Sequence, residues 1–411
     1  SFMVQLKNSL DCLETYNSEL CYENIKCTKC YKTFFSEECN SCIDTYFSKA
    51  CSNCNNIFGC VNLRNKSYCI FNEPYSKEDY FKKLEEFKLN SYENLYQLRR
   101  EIIKFWNKYP VRFYVGSSLN LNVSGEYIQQ SKNTHDAYLV TGVENSCFVS
   151  MLSSASTKDC YDYTAWGNKA ELIYESMMVG ELVSNIKFSN ECWPNSMNIE
   201  YSFYTTARKN IFGCVNLKRK EYCILNKQYS KEEYEKLIPE IIQNMKDMPY
   251  VDKMGRRWFY GEFFPLKFSP FAYNESMAQV FFPKTQEEAI AQGFGWYEGE
   301  VNKYTITKKA QNLPDTITET EEDILKEVVE CQDCQKAYRF TIGEYNLMKQ
   351  LNLPLPHECF NCRQKFRFTR LRMPKLYDRT CQKCNKEIKT SFAPERPEIV
   401  FCEKCYQQEV Y

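Results

Sequence analysis

Histidine is almost absent from this chain, which has only two, His135 and His357, among 411 residues. This scarcity removes most general-base, catalytic-triad and histidine-ligand chemistry. Glycine-rich phosphate loops, nucleophile elbows and HExxH motifs are missing too. The sequence therefore favours a non-enzymatic protein, and any metal site has to be built from cysteine thiolates.

Long apolar runs and a net charge are also lacking. No run reaches the ~18 apolar residues that a membrane span needs. The 53 acidic residues balance 53 basic ones, which argues against an affinity of the whole chain for nucleic acid or membranes. The cysteine count, 23, is odd, and no charged-then-apolar signal segment precedes the cysteines. We therefore predict a reduced, cytoplasmic protein with no membrane partner.

Cysteine is abundant instead, and near the amino end it follows a fixed period. CxxC pairs recur every twelve residues, and a period this short predicts one turn of a β-solenoid per repeat. Such pairs could hold metal, form disulfides or simply fill a narrow interior, and packing is the favoured interpretation. The pairs are Cys27 and Cys30, Cys39 and Cys42, and Cys51 and Cys54.

A longer repeat lies over the first. Residues 56–82 match residues 210–236 at 19 of 27 positions, which indicates a duplicated module. Between them, short strand-like segments recur at an irregular period of about eleven to thirteen residues, as stacked coils would. A shift of 154 residues places no cysteine pair in the second copy. If both copies fold alike, metal cannot be a requirement of this fold.

Each copy ends in a helix signal, because Ser76 and Ser230 precede acidic first turns as N-caps do. A further helix is predicted over 92–106, and these helices are expected to close the open ends of the stacks. We predict a first β-solenoid module at 1–75, a helical cap at 76–112, a second module at 113–228, a helical and proline- and aromatic-rich segment with an acidic linker helix at 229–330, and tandem zinc ribbons at 331–411.

The strongest chemical signal is carboxy-terminal, where four more CxxC pairs supply eight thiolates. Two tetrahedral four-cysteine zinc sites are the natural solution, with sequential pairing the simplest and a cross-braced pairing still open. Closed sites of this kind are structural, so two structural zinc ions are expected. The predicted ligands are Cys331, Cys334, Cys359, Cys362, Cys381, Cys384, Cys402 and Cys405.

Basic residues interleaved with aromatic ones lie between these pairs, within residues 356–380. Cations beside exposed rings suit phosphate contact and base stacking, which makes nucleic acid a candidate partner. The same cations could instead balance the negative zinc–thiolate centres or dock a protein. The residues are Arg363, Lys365, Arg367, Arg370, Arg372 and Lys375, with Phe366 and Phe368.

Several segments carry a resemblance, among them NIFGCVNLRNKSYCIFN, GEFFPLKFSPFAYNESMAQVFFP and CQKCNKEIKTSFAPERPEIVFCEKCY. They resemble a family of uncharacterised cysteine-rich zinc-ribbon repeat proteins of candidate-phyla bacteria. The resemblance implies that the eight carboxy-terminal cysteines are zinc ligands, and it implies no activity. Labels as CoA-transferase-like attach to such sequences, but no residue here supports them. Because members tend to be longer at the amino end, we expect this chain to be a fragment.

These observations predict a mainly β protein of two short-rung β-solenoid modules with helical caps and tandem zinc ribbons. The favoured function is binding or scaffolding, with a protein partner or self-association, since outward aromatics such as Phe35 or Tyr46 could form a binding ladder. One alternative is a nucleic-acid- or ribosome-associated factor that uses the basic ribbons. The other is an enzyme with a cleft between the modules.

Overall fold

A computed structural model describes residues 4–112, 119–154, 156–299, 304–372 and 375–410. Within these ranges the chain is mainly β and contains two large sheets whose strands are almost all parallel. We call residues 4–74, which contain the first sheet, the first β-stack, and residues 121–228, which contain the second sheet, the second β-stack. The five-part division made from sequence stays a prediction.

The first β-stack adds its strands in chain order. Strand Tyr31–Phe34 pairs with Ile43–Tyr46, and Tyr31, Ile43 and Asn55 are successive partners twelve residues apart. The connections pair in parallel as well, through bridges such as Thr28 to Asn40 and Asn40 to Ser52. An antiparallel final strand closes the sheet. The strands are β1 Val4–Lys7, β2 Tyr16–Tyr22, β3 Tyr31–Phe34, β4 Ile43–Tyr46, β5 Asn55–Phe58, β6 Ser67–Ile70 and β7 Glu73–Pro74.

The backbone of this stack has a period of three residues inside the period of twelve. Lys29, Ser41 and Asn53, like every third residue around them, have positive φ. Left-handed backbone costs about 1–2 kcal/mol per L-residue, so hydrogen bonds between repeats must offset it. Ser41 N–H donates to the Thr28 carbonyl at 2.9 Å, and Asn53 N–H donates to that of Asn40 at 3.0 Å. Buried side chains share this period, which explains the CxxC spacing as one inward position in three.

The second β-stack follows the same plan less regularly. Lys132 pairs with Glu144, twelve residues on, whereas Cys147 pairs with Tyr161, fourteen residues on. The predicted irregular period is therefore observed, over a slightly wider range. The strands are β9 Leu121–Gln129, β10 Lys132–Thr141, β11 Val143–Ser154, β12 Thr157–Lys158, β13 Tyr161–Gly167, β14 Glu171–Gly180, β15 Ser184–Lys187, β16 Asn190–Cys192, β17 Met197–Glu200, β18 Phe203–Thr205, β19 Lys209–Phe212, β20 Glu221–Ile224 and β21 Lys227–Gln228.

Helices follow both stacks where the serines predicted them. Ser76 Oγ accepts from Asp79 N–H at 3.0 Å, and Ser230 Oγ accepts from Glu233 N–H at 3.2 Å. The helix after each cap packs on the last parallel strand of its stack. The helices are α1 Lys77–Glu86, α2 Tyr92–Trp106 and α3 Lys231–Asp247, and a short strand, β8 Pro110–Arg112, follows α2.

The acidic segment before the carboxy-terminal unit differs from its prediction. The sequence pattern indicates an amphipathic linker helix, but the structure has short 3₁₀ turns at Ile317–Glu319 and Glu322–Lys326. Ile317 and Ile324 are each buried in a core that the first stack, α2 and residues 340–355 supply. Seven acids between Asp315 and Glu330 would also repel one another along a regular helix. Burial of these two isoleucines in a neighbouring core therefore accounts for the 3₁₀ turns in place of a regular helix.

The rest of the chain forms short elements, which include two hairpins that carry cysteine pairs. Ile399 pairs with Pro110, so the carboxy-terminal unit adds a strand beside β8. No helix in the described ranges is long and apolar enough to cross a bilayer. The elements are β22 Tyr250–Val251, β23 Arg257–Trp258, α4 Met277–Phe281, α5 Gln286–Ala291, β24 Lys308–Lys309, β25 Val329–Glu330, β26 Ala337–Tyr338, α6 Ile342–Leu351, α7 Phe360–Arg370, β27 Tyr377–Thr380, β28 Glu387–Thr390, β29 Ile399–Phe401 and α8 Glu403–Val410.

Candidate metal centres and the arginine helix

The first cysteine group joins a hairpin to the start of a helix. Cys331 and Cys334 lie in the turn between β25 and β26, where Cys331 N–H donates to the Lys336 carbonyl at 2.9 Å. Cys359 is the N-cap residue of α7, and Cys362 lies in its first turn. The four sulfurs lie within 4.8 Å of one another, so they could hold one metal ion.

The second group repeats this design. Cys381 and Cys384 lie in the turn between β27 and β28, Cys402 immediately precedes α8, and Cys405 lies in that helix. These four sulfurs also lie within 4.8 Å of one another. The pairing is thus sequential, as the simplest sequence hypothesis has it. The second pair of each group starts a helix, whereas a ribbon would place it in a second hairpin.

Backbone hydrogen bonds prepare some of these sulfurs to ionise. Burial opposes ionisation of Cys381, but N–H groups of Cys402, Cys384 and Lys383 donate to its sulfur, and the net effect lowers its pKa to about 6. Similar donors lower the pKa of Cys331 despite its burial. Burial and neighbouring thiols raise the pKa of Cys362 and Cys405. A bound cation favours the thiolate form, and the hairpin cysteines Cys331 and Cys381 are already shifted toward it, which suits a divalent metal.

The sulfur spacing gives a direct test of fit. Four sulfurs at the usual Zn–S distance of about 2.3 Å from a tetrahedral ion lie about 3.8 Å apart. The Cys334 and Cys359 sulfurs are 3.7 Å apart, and so are those of Cys384 and Cys402. One sulfur pair in each group therefore has the spacing of a closed four-thiolate site, and the other sulfurs of the group lie within 4.8 Å. A closed site of this kind has no open position for a substrate.

The cysteines of the first β-stack have a different environment. Cys39 Sγ donates to the Ser48 carbonyl at 3.4 Å, and Cys51 Sγ donates to the Lys49 carbonyl at 3.4 Å. Burial raises the pKa of Cys51, whereas hydrogen bonds with Cys27 and Cys42 lower that of Cys30 to about 4. Among the described residues, only the two carboxy-terminal groups bring three or more ligand atoms together. The geometry supports packing for Cys27, Cys30, Cys39, Cys42, Cys51 and Cys54, and metal binding there stays an untested hypothesis.

The helix that begins at the first metal group carries buried arginines. Arg363 Nε lies 2.7 Å from Asp11 Oδ2, and Arg367 Nη2 lies 2.8 Å from Asp11 Oδ1. Nη2 of Arg363 also lies 2.7 Å from Oε1 of Glu344. Burial raises the pKa of Asp11 although both arginines favour its charged form. One carboxylate of the first stack thus anchors two successive turns of α7.

Further along the same segment, the arginines continue to face inward. Arg370 Nε lies 2.7 Å from Glu37 Oε1, and Arg372 Nε lies 3.4 Å from Glu126 Oε2 of the second stack. Glu126 is fully buried and accepts hydrogen bonds from Thr390 and Ser391. Burial raises the pKa of Glu126, although the nearby Arg372 favours its charged form. The segment 363–372 therefore ties the carboxy-terminal unit to both stacks.

These contacts bear on the predicted nucleic-acid face. Lys365, Phe366 and Lys375 are exposed, while Phe368 is half-buried. The four arginines of the predicted face are instead paired with carboxylates. Nucleic-acid binding through 356–380 stays a prediction, and it would have to use the few exposed groups. The acidic partners Asp11, Glu37 and Glu126 were not found from sequence because no local pattern distinguishes them.

The outward aromatic side chains of the first stack already contact other parts of the chain. Phe35 stacks on Phe47 at 4.6 Å, and Arg99 of α2 lies over its ring. Tyr46 contacts Phe34 edge to face at 5.3 Å within the same core. This face therefore binds the chain's own helices, and a partner would have to use another surface.

No family model matches the chain, and no curated protein is significantly similar to it. The features of this protein that bear on its function are therefore the two cysteine groups and the contacts of the helix between them.

Proposed function

We propose that this protein is a non-enzymatic, zinc-binding scaffold in which two metal sites fold the unit that joins two β-solenoid modules. One observation carries the proposal. The helix that starts at Cys359 places Arg363 and Arg367 on Asp11 of the first stack, and the same segment continues to Glu126 of the second stack. Metal binding at one end of α7 is thereby linked to the arrangement of both stacks.

The solenoid part of the proposal rests on register. Parallel partners recur every twelve residues in the first stack, and the connecting segments pair with one another as the strands do. The eight residues between β3 and β4 are too few for the crossover connection that ordinary parallel sheets use. A coil whose successive turns lie on one another accounts for both facts.

The zinc part rests on the donors. Four thiolates at tetrahedral spacing favour zinc or iron among the common metals, and zinc needs no redox partner. Because the sites are closed, the metal would supply folding free energy.

The binding surface of such a scaffold is expected on the second stack. Phe148 and Tyr161 form an exposed aromatic pair there, with ring centroids 5.2 Å apart, and Leu172 is also exposed. The corresponding face of the first stack is covered by helices. A protein partner or a second copy of the chain would bury these side chains.

Metal analysis of the purified, reduced protein tests the proposal. We expect two zinc ions per chain by mass spectrometry of the digested protein. Cys362→Ser and Cys405→Ser should each lose one ion, whereas Cys147→Ser, in the second stack, should keep both. Hydrogen exchange in the first stack should quicken after chelation, because α7 would release Asp11.

Iron in place of zinc would contradict the metal assignment. A count of three or more ions would show that the cysteines of the first stack bind metal as well. Unchanged hydrogen exchange in the first stack after complete metal removal would contradict the link between the metal sites and the stacks.

A further inference from the structure

A cavity of about 380 Å³ lies where the first stack, the segment from α2 to β8, the second stack and the carboxy-terminal unit meet. One wall is a face of the first stack, with Thr28, Asn40 and Ser52 in successive repeats. The start of the second stack contributes Tyr127, and the carboxy-terminal unit contributes residues that include Phe392. The volume is in the range of small-molecule sites.

Charged side chains dominate the lining. Four carboxylates face seven cations, and two more carboxylates, Glu126 and Glu403, pair with Arg372 and Arg112 from behind. Cations still outnumber carboxylates when those two are included. Each guanidinium has five N–H donors, so donors exceed what these carboxylates can accept. The lining cations are Lys26, Lys49, Arg64, Arg112, Arg370, Arg372 and Arg396, and the lining carboxylates are Glu14, Glu37, Glu38 and Glu398.

Three of the cations converge on one part of the wall. Glu37 lies 3.4 Å from Lys49 and 2.7 Å from Arg370, and Arg396 lies 2.6 Å from Glu398. Burial opposes ionisation of both carboxyls, but Arg370 and Lys49 lower the pKa of Glu37 to about 2, and Arg396 and Lys49 lower that of Glu398. The two carboxylates hold the three cations in place without cancelling their charge.

We propose that this cavity binds a small molecule bearing an oxyanion, such as a phosphate or a carboxylate, with Lys49, Arg370 and Arg396 as its contacts. Arg370 uses only Nε on Glu37, and Arg396 uses Nε and Nη2 on Glu398. Their remaining N–H groups can donate to oxygens of a ligand, and such charge-assisted hydrogen bonds are strong. The hydroxyl and amide groups of the first stack would contact its polar body.

Binding is tested by calorimetry on the metal-loaded protein, with pyrophosphate and citrate as separate probes and chloride at matched ionic strength as the reference. We expect saturable binding of one equivalent of at least one probe. Lys49→Gln and Arg396→Gln should each weaken it about tenfold or more, as the loss of one charge-assisted hydrogen bond would. Lys158→Gln and Arg100→Gln, which remove the same charges outside the cavity, should leave it unchanged. Preference for pyrophosphate or for citrate would identify the oxyanion.

Two results would overturn the proposal. One is the absence of saturable binding of both probes, which would indicate a water-filled junction. The other is binding that the two cavity variants leave intact while their thermal unfolding matches that of the wild type. Because the zinc content is measured separately, failure here would leave the scaffold proposal standing, and loss of zinc would not by itself remove the cavity residues.

Discussion

The two β-stacks share a backbone plan, but their interiors differ. The interior of the first stack is a cluster of ten buried cysteines and Ile57, while the second has mainly aliphatic residues and four cysteines. Equivalent positions in the duplicated part remain recognisable, since Cys60 N–H donates to Ser48 Oγ and Cys214 N–H donates to Ser202 Oγ. The backbone of the stacks therefore does not depend on cysteine. Cysteine is one of several small side chains that fit.

The two stacks also differ in how much of their outer aromatic face is covered. The aromatic face of the first stack is covered by α1 and α2, and its edge is anchored to α7 through Asp11. The second stack is covered by α3 and the segment from Tyr260 to Phe264, which leaves Phe148 and Tyr161 exposed. Other parts of the chain thus cover the aromatic face of the first stack, whereas part of the same face of the second stack is exposed to solvent.

The largest expected effect comes from removing the anchor that only the first stack has. Asp11→Asn removes the carboxylate that pairs with the buried Arg367 and one of the two that pair with the buried Arg363. Breaking a buried pair costs about 3–5 kcal/mol of unfolding free energy. Urea unfolding at pH 7 of the metal-loaded protein measures this. Glu19→Gln, which removes an exposed ion pair with Lys7, should cost less than about 1 kcal/mol. Equal losses for the two variants would contradict a special role of Asp11.

The interiors themselves can be compared by truncation. Ile199→Ala in the second stack should cost about 2–5 kcal/mol, because it removes a fully buried branched side chain and leaves a cavity. Cys51→Ala in the first stack removes a single sulfur and should cost about 1 kcal/mol. The same urea experiment measures both. A larger loss for Cys51→Ala would show that the thiols of the first stack do more than pack.

Acid unfolding distinguishes the stacks at equivalent positions. The folded-state pKa of Glu37, about 2, lies below its unfolded value, so its stabilisation is present above about pH 4.5 and is lost as pH falls toward 2. Glu37→Gln should therefore cost about 3 kcal/mol at pH 7 and about half of that at pH 3. Glu191→Gln, the equivalent change in the second stack, should have little effect at either pH. A difference between wild type and Glu37→Gln that does not shrink with acid would exclude this ion-pair origin.

The smallest effect is expected from Cys39→Ser. A serine hydroxyl can donate to the Ser48 carbonyl as the thiol does, and neighbouring interior positions already hold Thr33 and Ser36. Stability should change by no more than about 1 kcal/mol, and the metal content should equal that of the wild type. Cys359→Ser is the matched positive control and should lose one ion. A loss of metal from Cys39→Ser would revive the hypothesis of a metal ladder.

Much of the local structure could be predicted. The twelve-residue period, the helices capped by Ser76 and Ser230, and the sequential grouping of the eight carboxy-terminal cysteines all follow from residues close together in the chain. The acidic helix near Ile324 was predicted wrongly, because burial of that side chain in a distant core overrides an amphipathic pattern. The three-residue backbone period was visible in the CxxC spacing, but the same spacing also describes metal ligands.

The repeat, the duplication and the thiolate donor sets can be read from the sequence alone, because each depends on spacing along the chain. The carboxylate partners of the arginines of α7 depend on the tertiary fold. Arg367 and Asp11 are 356 residues apart and meet only when the carboxy-terminal unit docks. The same docking creates the charged cavity. A basic stretch looks alike in sequence whether it faces solvent or a buried carboxylate, and burial is a property of the whole fold.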